Sequence, residues 1–299
     1  MKRKLIRQGL GGLTFYVPKR WSDKWGLKPG DEIDIQEEDS RLIIDTEPKK
    51  KGQVLEINID EHSEDFINRI ITNSYKKGVD ELKLVFKDKP PLDHISKVLS
   101  SLTIGYEVTA TGENFCIIGS FSHEEQEKIA ITVRKCFFLI KDLQSVIFKG
   151  LISGKYTDES DIRSINDNIK RLLNYSIRTT VKTTKDANEI QYNSMIFSNV
   201  YLFSTKLAYI YQFAKEEKNV TENTKTLLNT LFSMFEKFSE VYYTKDLKKV
   251  NEILQMKVEL TDKINNSIEK KDGKIILQAT MALRCIHDSI GALIGLISG

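Results

Sequence analysis

Trp25-Gly26-Leu27-Lys28-Pro29-Gly30-Asp31-Glu32-Ile33 is the stretch on which the reading of this chain turns. Gly26 is placed to end a short helix in the left-handed conformation that glycine adopts without strain, so two helical turns are predicted over Lys19–Trp25. Pro29 followed by Gly30 suits the two central positions of a type II turn: the ring fixes the first, and the second needs a positive φ. Downstream, Ile33 and Ile35 predict one strand and Leu42, Ile43 and Ile44 another, joined across Glu37-Glu38-Asp39-Ser40. Upstream, Leu13-Thr14-Phe15-Tyr16-Val17 alternates like a strand and is stopped by Pro18. A unit of residues 1–47 buries too little to stand alone, since domains this small need a metal, disulfides or a partner. It contains no His and no Cys, which leaves oligomerisation.

The charges of this unit are sorted. From Lys2 to Lys28 there are eight bases against Asp23 alone, a net +7; from Asp31 to Glu47 there are eight acids against Arg41, a net −7. A uniformly solvated surface mixes the signs, whereas a basic end has the form of a footprint for phosphates. Gly11-Gly12, Val17-Pro18-Lys19, the run from Trp25 to Ile33 and Leu42-Ile43-Ile44 together resemble an AbrB-type swapped-hairpin domain over nearly all of residues 3–45. That resemblance implies two chains interleaved in one β dimer, with DNA gripped by the bases of the first half. Arg3, Lys4, Arg7, Lys19, Arg20 and Lys24 are the DNA-binding candidates. Gly12 stands where such domains often carry Ser, which removes one phosphate contact. The other reading of the same residues is a dimerisation module whose bases only solvate it.

Pro48 with Lys49-Lys50-Lys51-Gly52 reads as a solvated linker and opens a second segment, residues 48–121. Its pattern predicts a strand over Val54–Ile59, a helix over Ser63–Lys77, a strand over Glu81–Phe86, a helix over Leu92–Leu102, and strands over Tyr106–Thr111 and Phe115–Ser120. Thr111-Gly112-Glu113-Asn114 is hairpin chemistry between the last two. The order βαβαββ implies a small α/β sandwich with helices on one face. It has no glycine-rich phosphate loop, and His62 and His94 have no second ligand at helical spacing, so both read as structural.

Gly119-Ser120-Phe121-Ser122 marks the second boundary, and residues 122–299 contain no Pro. Ser122-His123-Glu124-Glu125 reads as a capping box opening the first of six helices. Apolar stripes such as Ile129, Val133, Phe137, Ile140, Leu143 and Ile147 recur at spacings of three and four in each. Breaks at Gly150–Tyr156, after Val181, at Lys215–Asn219, at Thr244–Asp246 and at Gly273 imply two three-helix bundles, about 122–218 and 219–299. The fold expected is multidomain α+β: a small β domain, the βαβαββ sandwich, then a six-helix all-α region. Six helices in two sets of three behind an AbrB-type domain resemble the archaeal PhoU-like regulators of phosphate uptake, by layout rather than by a tight motif.

In the PhoU family the third helix of each repeat usually carries an acid, three other residues and an Asp, and these carboxylates help bind metal clusters. Here Asp288 fits the Asp position, Arg284 replaces the first acid, and helix three has no acid from Phe203 to Tyr211. A cation cluster needs converging carboxylates, so no cluster is expected; Asp288, and Glu236 with Glu240 at i and i+4 on helix four, are the remaining metal candidates. His287 beside Asp288 invites an acid–base reading, but adjacent helical residues point about 100° apart and no nucleophile sits at matching spacing. The aromatics of helix three, Tyr192 to Phe213, read mostly as core, with some left to line a groove for a partner helix. Arg178, Lys182 and Lys185 read as a basic strip on a solvated end of helix two.

Composition bounds the rest. Across 299 residues, 40% are apolar and 29% charged, enough for packed cores, and the net charge of +3 excludes a polycationic coat. Cys116, Cys136 and Cys285 are far apart and in apolar runs, which fits a reducing cytoplasm rather than a disulfide framework. The basic start lacks the apolar run of a secretion signal, and Ile275–Ile297 contains Arg284, His287 and Asp288, so no membrane insertion is expected. The function expected is a cytoplasmic, non-enzymatic DNA-binding transcription regulator, homodimeric through residues 1–47 and without a cofactor. The resemblance implies phosphate uptake as its subject. The alternative is an adaptor that docks its helical region on a phosphate transporter or a signalling protein, the N-terminal domain only dimerising.

Overall fold

The computed structural model describes residues 3–9, 11–38, 41–45, 53–59, 63–121, 125–217, 219–265 and 272–298. The chain folds as two compact units, Met1–Gln53 and Val54–Gly299. The first begins with β1 (Ile6–Gln8) and β2 (Gly12–Thr14), antiparallel with Arg7 opposite Leu13. α1 (Lys19–Trp25) follows, then β3 (Asp34–Glu38) and β4 (Arg41–Asp45), antiparallel with Ile35 opposite Ile44. β1 is a strand that the sequence pattern does not predict, and the strand expected over Leu13–Val17 ends at Thr14 because its three-residue partner extends no further. Asp39, Ser40 and the linker Pro48–Gly52 lie outside the described residues.

The second unit opens with the expected βαβαββ order. β5 (Val54–Ile59), α2 (Glu64–Lys76), β6 (Glu81–Phe86), α3 (Leu92–Leu102), β7 (Tyr106–Thr111) and β8 (Phe115–Ser120) build a sheet in the order β5-β6-β8-β7. β5 and β6 are parallel, as a helical crossover requires, and the other pairs antiparallel. Ser63 Oγ caps α2 by accepting from Phe66 N at 3.2 Å. The alternation of β6 sends Leu82, Leu84 and Phe86 into the core and leaves Glu81 exposed. His94 Nε2 lies 2.9 Å from Asn68 Oδ1 and 3.3 Å from Glu64 O, a staple between α3 and α2, while His62 lies outside the described residues.

Six long helices follow: α4 (Glu127–Ser153), α5 (Glu159–Thr183), α6 (Ala187–Glu217), α7 (Glu222–Thr244), α8 (Leu247–Asn265) and α9 (Gly273–Ser298). Asp158 and Thr221 cap α5 and α7 through their side chains. Ser122–Glu124 of the expected capping box lie outside the described residues, and the residue that caps α4, Gln126, makes no side-chain cap bond. Gly273 is the first residue of α9 rather than a break before it. Asp272, buried, accepts from Thr221 N at 2.9 Å and Thr221 Oγ1 at 2.8 Å and so ties the start of α9 to the start of α7.

α4, α5 and α6 pack on one another, as do α7, α8 and α9, and the two triplets meet mainly along α6 and α9 within one continuous core. α6 and α9 run antiparallel: a Cβ added at Gly295 would lie 2.4 Å from the Tyr192 ring, and Lys274 lies 5.3 Å over Phe213. α9 is long and apolar enough to cross a membrane by length and composition. In this fold it is a central helix, with Ile276, Ala279, Leu283, Ile286, Ile290 and Leu293 in the core and Arg284 on the outside.

α5 also packs on α2 and α3, which welds sheet and helices into one unit. Here the basic strip read from the sequence is corrected. Arg178 is fully buried rather than solvated, donating to Val79 O at 2.7 Å, Tyr75 O at 3.1 Å and Asp80 Oδ1 at 3.0 Å. Its guanidinium lies against the rings of Tyr75 and Tyr106, and Lys182 also pairs with Asp80. A charge survives there because its donors meet carbonyls and a carboxylate instead of water.

Candidate nucleic-acid interface

α1 is set by its two ends. Pro18 starts it with φ −60°, and its carbonyl accepts from Trp21 N at 2.8 Å and Ser22 N at 3.1 Å. Gly26 ends it at φ 64°, and Leu27 N donates back to Ser22 O at 3.0 Å, the pattern of a Schellman cap. The chain then turns through Lys28-Pro29-Gly30-Asp31 with Gly30 at φ 98° and Asp31 N donating to Lys28 O at 3.1 Å, as the Pro-Gly pair predicts. Asp31 Oδ2 closes the turn by accepting from Lys28 N at 2.7 Å.

These ends fix which bases reach water. Arg20 and Lys24, at i and i+4, share a face of α1, with Lys19 beside Arg20 and Lys24 Nζ 5.4 Å over the Trp25 ring. Arg3 and Lys4 precede β1 and Arg7 lies within it. All six candidates are exposed. No hydrogen bond or ion pair among the described residues joins the β1 group to the α1 group. The acids at 34, 37, 38 and 45 fall on the separate β3–β4 hairpin, so the sorting seen along the chain becomes a sorting between elements.

Several large apolar side chains of the same unit are also in water. Leu5 and Leu13 are 63% exposed, Tyr16 76%, and Ile35 and Leu42 more than half. Both hairpins are isolated two-stranded sheets, and such pairs are marginal in water without a further apolar layer.

The metal candidates are not brought together. Asp288 stands on the rim of a groove of about 680 Å³ between α6 and α9, beside Ser198, Asn199 and His287. Its carboxylate faces Arg284 Nε at 3.8 Å and His287 Nδ1 at 3.3 Å. Glu240 is bonded to Lys249 of α8, whose ammonium holds the carboxyl below its usual range, and Glu236 is exposed on α7. Among the described residues no three His, Cys, Asp or Glu side chains converge. The cysteines are buried and free, as read from the sequence.

Comparison with known proteins touches this first unit. The chain matched no curated protein and no solved structure. Residues 16–54, a small part of the 299, match the family model described as antidote-toxin recognition MazE, bacterial antitoxin, and the N-terminal unit is thus a MazE/AbrB-like domain.

Proposed function

We propose that this protein is a dimeric, cytoplasmic DNA-binding regulator without enzymatic activity. In this reading the MazE/AbrB-like unit of two chains grips DNA, and the helical unit receives a signal or a partner. The observation that carries it is the state of the first unit: the six bases of β1, of the residues before it and of α1 stand in water, and so do Ile6 and Leu13 of the first hairpin and Ile35 and Leu42 of the second. Each such side chain is worth about 1.5–3 kcal/mol when covered, so a second copy interleaved with the first supplies the missing core. The bases, carried twice on the two-fold dimer, then face the phosphates of neighbouring turns of one duplex.

Regulation of phosphate uptake is the finer part of the proposal, supported by the layout of the helices alone. Gel shifts against genomic fragments test both parts. Binding to a defined operator supports the regulator, and an operator beside phosphate-transport genes supports its subject. Absence of any DNA binding by a folded dimer transfers the reading to the adaptor, in which the helical unit meets a transporter or signalling protein.

A further inference from the structure

The four-stranded sheet has two edges, and they are built differently. β7 carries a register shift between Val108 and Ala110, and it exposes the polar side chains Glu107, Thr109 and Thr111. A bulge and polar side chains are the usual means of blunting an edge. β5, the other edge, pairs with β6 without interruption from Val54 to Ile59, and among the described residues no strand lies on its outer side. It contains no Pro, no Gly and no Lys.

The core is also open at that edge. Leu82, Leu84 and Phe86 of β6 and Cys116 and Ile118 of β8 are buried beneath the helices, yet Leu55 and Ile57, on the same face of β5, are only half-buried. Phe66, on the helix that follows β5, is exposed as well. A strand added outside β5 would cover what its neighbours already have covered.

We propose that β5 pairs antiparallel with β5 of a second copy, joining two four-stranded sheets into one of eight strands. This rests on the dimer proposed above, whose linkers deliver the two edges to each other. Only eight residues separate Asp45, at the end of β4, from Val54, a reach of at most about 30 Å. Two edges so tethered meet at an effective concentration on the order of millimolar.

The sequence of β5 selects a register. A two-fold axis perpendicular to the sheet keeps helix-facing residues opposite helix-facing residues. Centred on Glu56, it would oppose like charges. Centred on Ile57, it sets Ile57 against its own copy, Leu55 against Ile59 and Glu56 against Asn58. Three apolar pairs then close the open layer, and two Glu–Asn pairs lie on the solvent face.

Asn58→Cys in the full chain tests this. In the Ile57-centred register the two copies of residue 58 are diagonal neighbours, about 7–8 Å apart, within reach of a short bismaleimide. The native cysteines are buried, so bridging reports the new thiol. Glu107→Cys, exposed on the opposite edge, is the control: seven strand spacings put its copies about 34 Å apart. At submicromolar protein, with light scattering on the same samples, most Asn58→Cys chains should run as covalent dimers and Glu107→Cys chains should not. A light-scattering dimer that bridges at neither site, or equally at both, overturns the edge pairing and leaves the N-terminal dimer standing. A monomer overturns both.

Discussion

Arg178 Nη2 and Asp80 Oδ1 meet 3.0 Å apart where α5 crosses the end of α2 and the start of β6, the guanidinium wholly out of water and the carboxylate 26% exposed. The same guanidinium bonds two carbonyls, Tyr75 O at the end of α2 and Val79 O just beyond it, so a single side chain clamps the stretch from Tyr75 to Asp80 to the helical region. The sheet cannot shift on α5 without stripping this charge of its partners.

Arg178→Ala should destabilise the unit 54–299 by about 3–5 kcal/mol, the usual cost of removing one partner of a buried pair. Arg178→Lys keeps the charge but not the fork that serves two carbonyls and a carboxylate at once, so its loss should fall between wild type and Ala. Urea unfolding followed by far-ultraviolet circular dichroism measures both. Equal stability of all three proteins would show that the clamp contributes nothing net.

Gly78 stands at the same seam with φ 81°, and a Cβ there would lie 3.0 Å from Lys182 Cγ. Gly26, at φ 64° on the cap of α1, has open space around the same position. Gly78→Ala should thus cost about 1–2 kcal/mol for the left-handed backbone plus a displacement of Lys182 from Asp80, and more than Gly26→Ala. Paired denaturation curves decide the order.

The contrast between these sites explains what the sequence could and could not reveal. Gly26, Pro29 and Gly30 act through local backbone geometry, so their spacing alone predicted the helix, its cap and the turn. The stripes of α4 to α9 follow from a helical period of 3.6. Arg178 departs from the expectation because a charge on a helix end is normally in water. The clue lay in its neighbours: Leu172 to Thr180 is buried without a break, since α5 is covered by helices on one side and by α2 and α3 on the other. Periodicity cannot signal a helix enclosed on all faces. β1 leaves no sequence signal for the opposite reason, having three residues and no alternation long enough to count. The exposure of the six bases follows from their charge, where sequence and surface agree.

Burial pushes the Cys116 and Cys285 thiols up to about 11 and the Cys136 thiol up to about 12. The thiolate is the reactive form, so near pH 8 alkylation should run at least about a hundredfold slower than for an unburied thiol and rise tenfold per pH unit. Mass spectrometry after iodoacetamide treatment should find three modified sites in urea and almost none in the native protein. Rapid native labelling would mean that the cores around them open readily.

A chain beginning at Gln53 keeps the whole second unit but loses both hairpins and α1. Light scattering should give the mass of a monomer, because edge pairing through β5 depends on the tether. A retained dimer would locate the main contact in the second unit, at the β5 edge or in the helices, and bridging of Asn58→Cys in the same truncated chain would tell the two apart.

The DNA contacts give the most divided outcome. Phosphate neutralisation makes log affinity fall linearly with log salt, by about 0.9 per phosphate. Lys19 is expected to meet phosphate, so Lys19→Ala should weaken specific and non-specific binding together and make the salt slope shallower by about 1. Arg7 and Arg20 carry forks that match guanine in the major groove, worth about 1–3 kcal/mol of discrimination each. Arg7→Ala or Arg20→Ala should therefore weaken operator binding roughly tenfold or more while leaving non-specific binding nearly unchanged. All these side chains are exposed, so the variants should fold as the wild type does, which light scattering and melting curves check. If the combined Ala variant of Arg3, Arg7, Lys19 and Arg20 stays dimeric and still shifts DNA as wild type does, these bases only solvate a dimerisation module. The adaptor reading then takes precedence.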